Sequence, residues 1–154
     1  MVVCSVVIKS FRSYILENWN RDGDYHAHEA RVGVDRVRTT FVGTGKKNYH
    51  VNFRVNDSID AKHALATKDP KRGRYILSHV HNITNEFIRK QKPKSIAMTG
   101  NTDKKDNVYS AYRDRLARQH SGYHDADAKT VHLGVKPLDR LALKVKAWHR
   151  ARGR

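Results

Sequence analysis

The sequence predicts a single α/β domain in which a mixed, largely antiparallel β-sheet is flanked by helices. Three stretches of the 154-residue chain carry this prediction. Residues 72–123 have the pattern helix, strand, helix, which is typical of a sheet with helices packed on it. Residues 49–55 and 130–135 alternate apolar and polar side chains, as strands with one buried face do.

One apolar stripe predicts a helix over residues 72–90. The residues of the stripe stand at i, i+4, i+7 and i+11: Ile76, Val80, Ile83 and Phe87. This spacing puts them on one side of a helix of about five turns. Pro93 cannot continue that helix, so residues 94–98 are expected to form a short buried strand or a hinge.

A second helix is expected over residues 107–120. Val108, Tyr112 and Leu116 give it an apolar stripe of its own. Gly122 follows directly, and a glycine there can supply the left-handed residue that often ends a helix.

A third helix is expected over residues 138–154, because Pro137 interrupts the strand predicted just before it. Its apolar residues stand at i, i+4 and i+7: Leu141, Val145 and Trp148. We expect Trp148 to anchor this helix in the core rather than to serve as a platform for stacked bases.

The start of the chain predicts a strand and then a short helix. Residues 2–8 are rich in β-branched side chains, which favour strands. Cys4 lies within this run and is expected to be a buried thiol. Ser10 can cap the short helix that follows.

A hairpin is predicted in the first half of the chain. Residues 32–42 form either one long strand or two strands broken at Asp35-Arg36, and residues 43–48 form a turn. The strictly alternating strand of residues 49–55 then completes an antiparallel pair. A short strand or helical turn is expected within residues 61–67.

Length and composition favour one domain over residues 1–137, with the basic helix of residues 138–154 packed on it or extending from it. A single cysteine excludes an intrachain disulfide and any site with several cysteines. The apolar run at the start is short and has no basic leader, so a signal peptide is not expected. We therefore expect a soluble protein of a reducing compartment.

The charge is strongly asymmetric. The whole chain has a formal net charge of +16, with 11 Lys and Arg against 8 Asp and Glu before Lys71 and 20 against 7 from Lys71 onward. An excess of this size indicates a polyanionic partner, which could be nucleic acid or an acidic protein surface. No acidic residue follows Asp139. If six phosphates were neutralised by the tail, log affinity for duplex would fall with log salt at a slope of about −5.

Several segments within residues 49–123 resemble small proteins encoded by tailed bacteriophages. They are Tyr49-His50-Val51-Asn52-Phe53, Asn85-Glu86-Phe87-Ile88, Lys92-Pro93-Lys94-Ser95-Ile96, Tyr112-Arg113-Asp114-Arg115-Leu116 and Gly122-Tyr123. The family pattern has a Ser-Arg pair before the tyrosine helix, where this chain has Asn107-Val108. The resemblance implies an accessory or virion protein, found in the host cytoplasm or in the virion.

The same arrangement is similar to the C-terminal half of GNAT-type acyltransferases. That resemblance implies a GNAT-like fold, with Tyr112 protonating a departing thiolate and Lys71-Arg72-Gly73-Arg74 facing the pyrophosphate of acetyl-CoA. A helix N-terminus with basic residues does bind phosphate well. Tyr75, however, occupies a position where such enzymes have a small residue, so we expect the cofactor site to be degraded.

The ten histidines do not predict a metal site. His26 and His28 would share a face of a strand, with Glu29 on the other face. His79 and His81 would lie about 200° apart on a helix, which prevents joint ligation of a metal. The cluster Asp22, Asp24, His26, His28 and Glu29 is the best hydrolase alternative, because it could hold a divalent ion against a phosphate.

The sequence thus favours a binding protein without a resident cofactor. The residues expected to contact nucleic acid or an acidic protein are Arg140, Lys144, Lys146, Arg150, Arg152 and Arg154. Lys71, Arg72 and Arg74 form a second candidate anion site. An active N-acyltransferase and a structural virion component, whose charge packs against neighbouring subunits, remain the alternatives.

Overall fold

The computed structural model describes residues 19–56, 69–99 and 103–153. The predicted strand at residues 2–8, the helix after Ser10 and the element expected within residues 61–67 lie outside these ranges. Across the described ranges, no helix combines the length and the apolar character that crossing a membrane would need.

Seven strands and three helices make up the described part of the chain. In order, they are β1 (Trp19–Asp22), β2 (Tyr25–Val32), β3 (Asp35–Gly45), β4 (Asn48–Val55), α1 (Pro70–Gln91), β5 (Ser95–Ala97), α2 (Asp103–Gln119), β6 (Tyr123–Asp125), β7 (Thr130–His132) and α3 (Pro137–Arg152). The strands form one sheet with the order β1-β2-β3-β4-β5-β7-β6. All neighbouring strands are antiparallel except β4 and β5, which are parallel. The predicted mixed, largely antiparallel sheet with flanking helices is therefore confirmed.

The first four strands form a meander joined by tight turns. The extended segment is interrupted between β2 and β3 at Gly33-Val34, whereas the sequence suggested a possible interruption at Asp35-Arg36. Gly33 has φ 64°, a left-handed conformation that costs glycine little, and this explains the position of the break. The predicted hairpin of β3 and β4 is confirmed, and its turn uses Lys46 and Lys47, both with positive φ.

The parallel pair of β4 and β5 is short. It joins Asn48 to Ser95, Tyr49 to Ile96 and His50 to Ala97, so the last five residues of β4 continue without a partner in β5. Parallel neighbours need a crossover connection. Here α1 is part of that crossover, and it lies on one face of the sheet.

The main core lies between one face of the sheet and the helices α1 and α2. Phe87 of α1 stacks on Phe41 of β3, with ring centroids 4.0 Å apart. The predicted α1 stripe is confirmed, since its four residues are buried: Ile76, Val80, Ile83 and Phe87. This packing fixes α1 across β2, β3 and β4.

The buried face of α2 differs from the predicted one. Val108 is exposed, whereas Tyr109 is buried and faces Phe53 of β4. Arg113 is also buried on this side, four residues beyond Tyr109. A charged residue in the stripe made the true face hard to recognise from apolar spacing alone.

Gly122 is needed for a different reason from the one predicted. Ser121, with φ 49°, supplies the left-handed residue after α2. A Cβ atom on Gly122 would lie 2.5 Å from the carbonyl oxygen of His132 in β7. The glycine therefore permits a close approach between two backbone segments. β7 ends at His132, before the predicted boundary at Val135, and Gly134 follows two residues later with φ 60°.

Candidate polyanion-binding surface

The last helix, α3, lies on the outside of the molecule. None of its residues is buried. Arg140, Leu143 and Ala147 are partly covered and mark the side that faces the rest of the chain. Lys136 precedes the helix without a side-chain cap, and Pro137 begins it with a φ that suits the first helical turn. The predicted basic C-terminal helix is therefore present, ending at Arg152.

The apolar residues of α3 are exposed. Leu138, Leu141, Val145 and Trp148 are 83%, 61%, 46% and 50% exposed. The expectation that Trp148 anchors α3 in the core is wrong, because the helix turns its less apolar side, with Arg140, Leu143 and Ala147, toward the molecule. The large side chains remain on the surface instead.

Lys144 and Lys146 are exposed, and neither forms an ion pair within the described part of the chain. Arg152 lies over the indole of Trp148, 4.0 Å from the ring centroid, and so keeps its charge at the surface. Arg140 is partly covered, and its Nε has no hydrogen-bond partner among the residues that the structure describes. Arg154 lies outside the described residues.

Arg150 has a structural role that its position in a basic tail did not reveal. Its guanidinium donates a hydrogen bond to the buried carboxylate of Asp125 in β6. Burial acts to raise the pKa of Asp125, but the hydrogen bonds from Arg150 and from the Ala128 N–H outweigh it and leave this pKa lowered. Arg150 thus fastens α3 to the edge of the sheet, and its charge is already paired within the chain.

The second candidate anion site lies at the N-terminus of α1. The side chain of Asp69 caps this helix and accepts a hydrogen bond of 2.9 Å from the Lys71 N–H. A carboxylate in this position uses a backbone donor that a phosphate would otherwise take. Lys71 and Arg74 are exposed on either side of Gly73.

Arg72 pairs with a carboxylate of the same chain. It donates two hydrogen bonds to Asp35, the buried first residue of β3, and Asn56 donates a third at 2.8 Å. The hydrogen bond from Arg72 is the main reason why the pKa of Asp35 is lowered. The candidate site therefore contains two carboxylates, those of Asp69 and Asp35.

A cavity of about 680 Å³ opens beside this ion pair. The turn between β2 and β3 forms one wall, and α1 from Lys71 to Asn82 forms the other. Tyr75 lines the cavity and is 68% exposed. The size would suit a small ligand, but both acidic residues of the wall oppose a phosphate.

Tyr112 does not lie near the N-terminus of α1. Its ring contacts His81, with centroids 5.2 Å apart, and His81 lies nine residues beyond Arg72, about 13 Å along the helix. Burial raises the pKa of Tyr112 to about 12. The proton is therefore held strongly, and the structure does not bring Tyr112 and Lys71-Arg72-Gly73-Arg74 together at one site.

The histidine pattern of β2 is as predicted. His26 and His28 face the core together, and Glu29 points to the other side and is exposed. Asp22 and Asp24 are also exposed. Among the described residues, no group of three or more His, Cys, Asp or Glu is placed to hold a metal ion.

Two buried polar groupings were not found from the sequence. Arg113 donates through Nη1 to the carbonyl oxygen of Met98 and through Nε to Nε2 of His124, 3.0 Å away. Because an arginine only donates, His124 carries its proton on Nδ1, which donates to Asp114 at 2.6 Å. The buried arginine thus connects α2 to both β6 and the end of β5.

The second grouping is His28 with His79 of α1, with ring centroids 5.6 Å apart. Both ring nitrogens of His28 and Nε2 of His79 have no hydrogen-bond partner in the described structure. The two residues are 51 positions apart in sequence, so no local signal pointed to their contact.

Comparison with protein-family models, with curated proteins and with solved structures finds no match to this chain. The likeness to phage-encoded proteins and to GNAT-type acyltransferases therefore stays a prediction.

Proposed function

We propose that this protein binds a polyanionic partner through its basic C-terminal half. The observation that carries the proposal is the surface of α3, where Lys144 and Lys146 are exposed and form no ion pair with any described residue. Ammonium groups left without internal partners are available to an external anion.

The charge around these lysines supports the same conclusion. From Pro137 to Arg152 the helix has five Lys and Arg against the single acid Asp139. Only Arg150 among those five forms an ion pair within the described residues. The positive excess of the second half of the chain therefore reaches the surface at α3.

The acyltransferase alternative receives less support from the geometry. Asp69 and Asp35 occupy donors at the N-terminus of α1 that a pyrophosphate would need, and Tyr112 lies against His81 instead. In our proposal the protein is a binding protein of the phage accessory or virion type, with a degraded cofactor site.

The test removes two charges at a time and measures affinity for a polyanion across a range of salt concentrations. The variant is K144Q/K146Q, and the matched control is R31Q/R54Q, which removes two exposed cations from β2 and β4. A 20-bp DNA duplex and heparin serve as probes.

The tail variant should bind more weakly, and its slope of log affinity against log salt on duplex should become less steep by about 1.8. The control should keep the wild-type slope. A loss confined to the control would assign the anion to the sheet, and equal loss in both variants would mean that overall charge rather than α3 binds it. No loss in either variant would also refute the proposal.

A further inference from the structure

The four exposed apolar residues of α3 have the spacing by which paired helices contact each other. Leu138, Leu141, Val145 and Trp148 are separated by three, four and three residues. This is the spacing of a and d positions in a heptad repeat, with Leu138 and Val145 at a and the other two at d. Leu138 and Trp148 are ten positions apart, so the seam is about 15 Å long.

The seam points away from the molecule. At about 100° per residue, its four members fall within an arc of about 80°. The partly covered residues Arg140, Leu143 and Ala147 lie on the other side of α3, about 150° away from the seam. A second helix can therefore approach the seam without displacing α3 from the sheet.

The width of the seam helps to identify the occupant. An apolar stripe of 80° is narrower than the face of about 100° or more by which a helix packs on a broad apolar surface, and it matches a coiled-coil seam. A DNA or RNA backbone offers no apolar surface for the three aliphatic side chains of the seam to contact. The seam thus favours another helix over a lipid surface or a nucleic acid.

The charges beside the seam determine which charge the partner helix must carry. Lys144 takes a g position and His149 an e position, and Arg152 follows over the ring of Trp148. A second copy of this chain would bring like charges together on molecules of net charge +16 each. The occupant must therefore carry acidic residues.

We propose that α3 docks an amphipathic α-helix of an acidic protein partner, with apolar residues along the seam and Glu or Asp beside it. This inference rests on the proposed polyanion binding and names the class of partner. The lysines steer the partner, and the seam provides the apolar contact that a charge surface alone lacks.

The probes are two synthetic peptides of three heptads. Both carry Glu at e and g, which opposes pairing of the peptide with itself, and one has Leu at a and d where the other has Ser. The 20-bp duplex and vesicles containing an anionic phospholipid serve as the other probes. Binding is followed by fluorescence anisotropy of labelled probes and by co-sedimentation with the vesicles.

Three proteins are compared: the wild type, L141S/V145S and K144Q/K146Q. The seam variant should fold, since both leucine and valine are exposed, and circular dichroism and thermal unfolding verify this. The wild type should bind the Leu peptide roughly tenfold or more tightly than the Ser peptide. L141S/V145S should lose this preference but keep salt-dependent binding to duplex and heparin.

The outcomes separate the two proposals. Equal affinity for the two peptides, or a preference that survives in L141S/V145S, would overturn the helix partner and leave polyanion binding intact. Tighter binding to vesicles that needs the seam would assign α3 to a lipid surface, and tighter binding to duplex would assign it to nucleic acid. Wild-type binding of every probe by K144Q/K146Q would overturn the proposed function itself.

Discussion

Replacing His28 by leucine should reduce the acid sensitivity of the fold. His28 is 0% exposed, packs against Trp19 and His79, and has no hydrogen-bond partner for either ring nitrogen in the described structure. Burial, with a smaller contribution from His79, lowers its pKa from 6.5 to about 4. The neutral ring is thus tolerated in the core, whereas the charged ring is not.

The direction of this pH dependence follows from the protons that the folded and the unfolded states bind. Between pH 6.5 and pH 4 the unfolded chain protonates His28 and the folded chain does not, so the free energy of unfolding falls as the pH falls. At pH 5 the loss from this residue is about 2 kcal/mol, and below pH 4 it approaches about 3 kcal/mol. Six other histidines have pKa values lowered mainly by burial and act in the same direction: His26, His50, His79, His81, His120 and His132.

The assay is urea unfolding followed by circular dichroism from pH 7.5 to pH 4.5. In H28L the fall in unfolding free energy between pH 7.5 and pH 5 should be smaller by about 2 kcal/mol. H149Q, which replaces an exposed histidine of α3, serves as the control and should follow the wild type. Asp35 and Asp125 do not affect this comparison. Their pKa values are lowered in the folded state, so the stability that they contribute is lost only as the pH falls below 3.8. Parallel curves for H28L and the wild type would refute the reasoning.

Two further predictions concern backbone contact and cofactor binding. G122A should lower the free energy of unfolding by about 2 kcal/mol or more, because the new methyl group meets the His132 carbonyl oxygen. Denaturant unfolding measures this free energy. The control G153A, at the end of α3, should change the free energy of unfolding little. Acetyl-CoA at millimolar concentration should leave the melting temperature unchanged, since Asp69 already engages the Lys71 N–H and Asp35 the Arg72 guanidinium. A ligand present at 100 times its Kd would add about 2.7 kcal/mol of stability, so a rise of several degrees would favour the acyltransferase alternative.

Local periodicity was enough to predict α1 and the hairpin. The stripe from Ile76 to Phe87 and the alternation from Tyr49 to Val55 both depend on neighbours a few residues away, and burial on one side is their direct consequence. Gly122 shows the limit of such signals. Its sequence position fits a helix cap, but the atom that requires a glycine belongs to His132, ten residues further along the chain.

The candidate site was predictable in position but not in orientation. Spacing shows that Leu141, Val145 and Trp148 share one side of a helix, but it does not show whether the rest of the chain covers that side. In the structure Arg150 pairs with Asp125, and the side of α3 opposite the seam faces inward. Contacts of this kind join residues 25 or more positions apart, and periodicity within one helix contains no information about them.

The attachment of α3 has a consequence for how the molecule opens. Because this helix buries no residue, we expect it to detach from β6 by breaking the Arg150 contact with Asp125, while α1, α2 and the sheet stay intact. Its amide hydrogens would then exchange with solvent through a local fluctuation of low free energy, well before the core opens. A protein surface that covers the seam would slow that exchange, so that partner binding would order a helix that has no buried residue of its own.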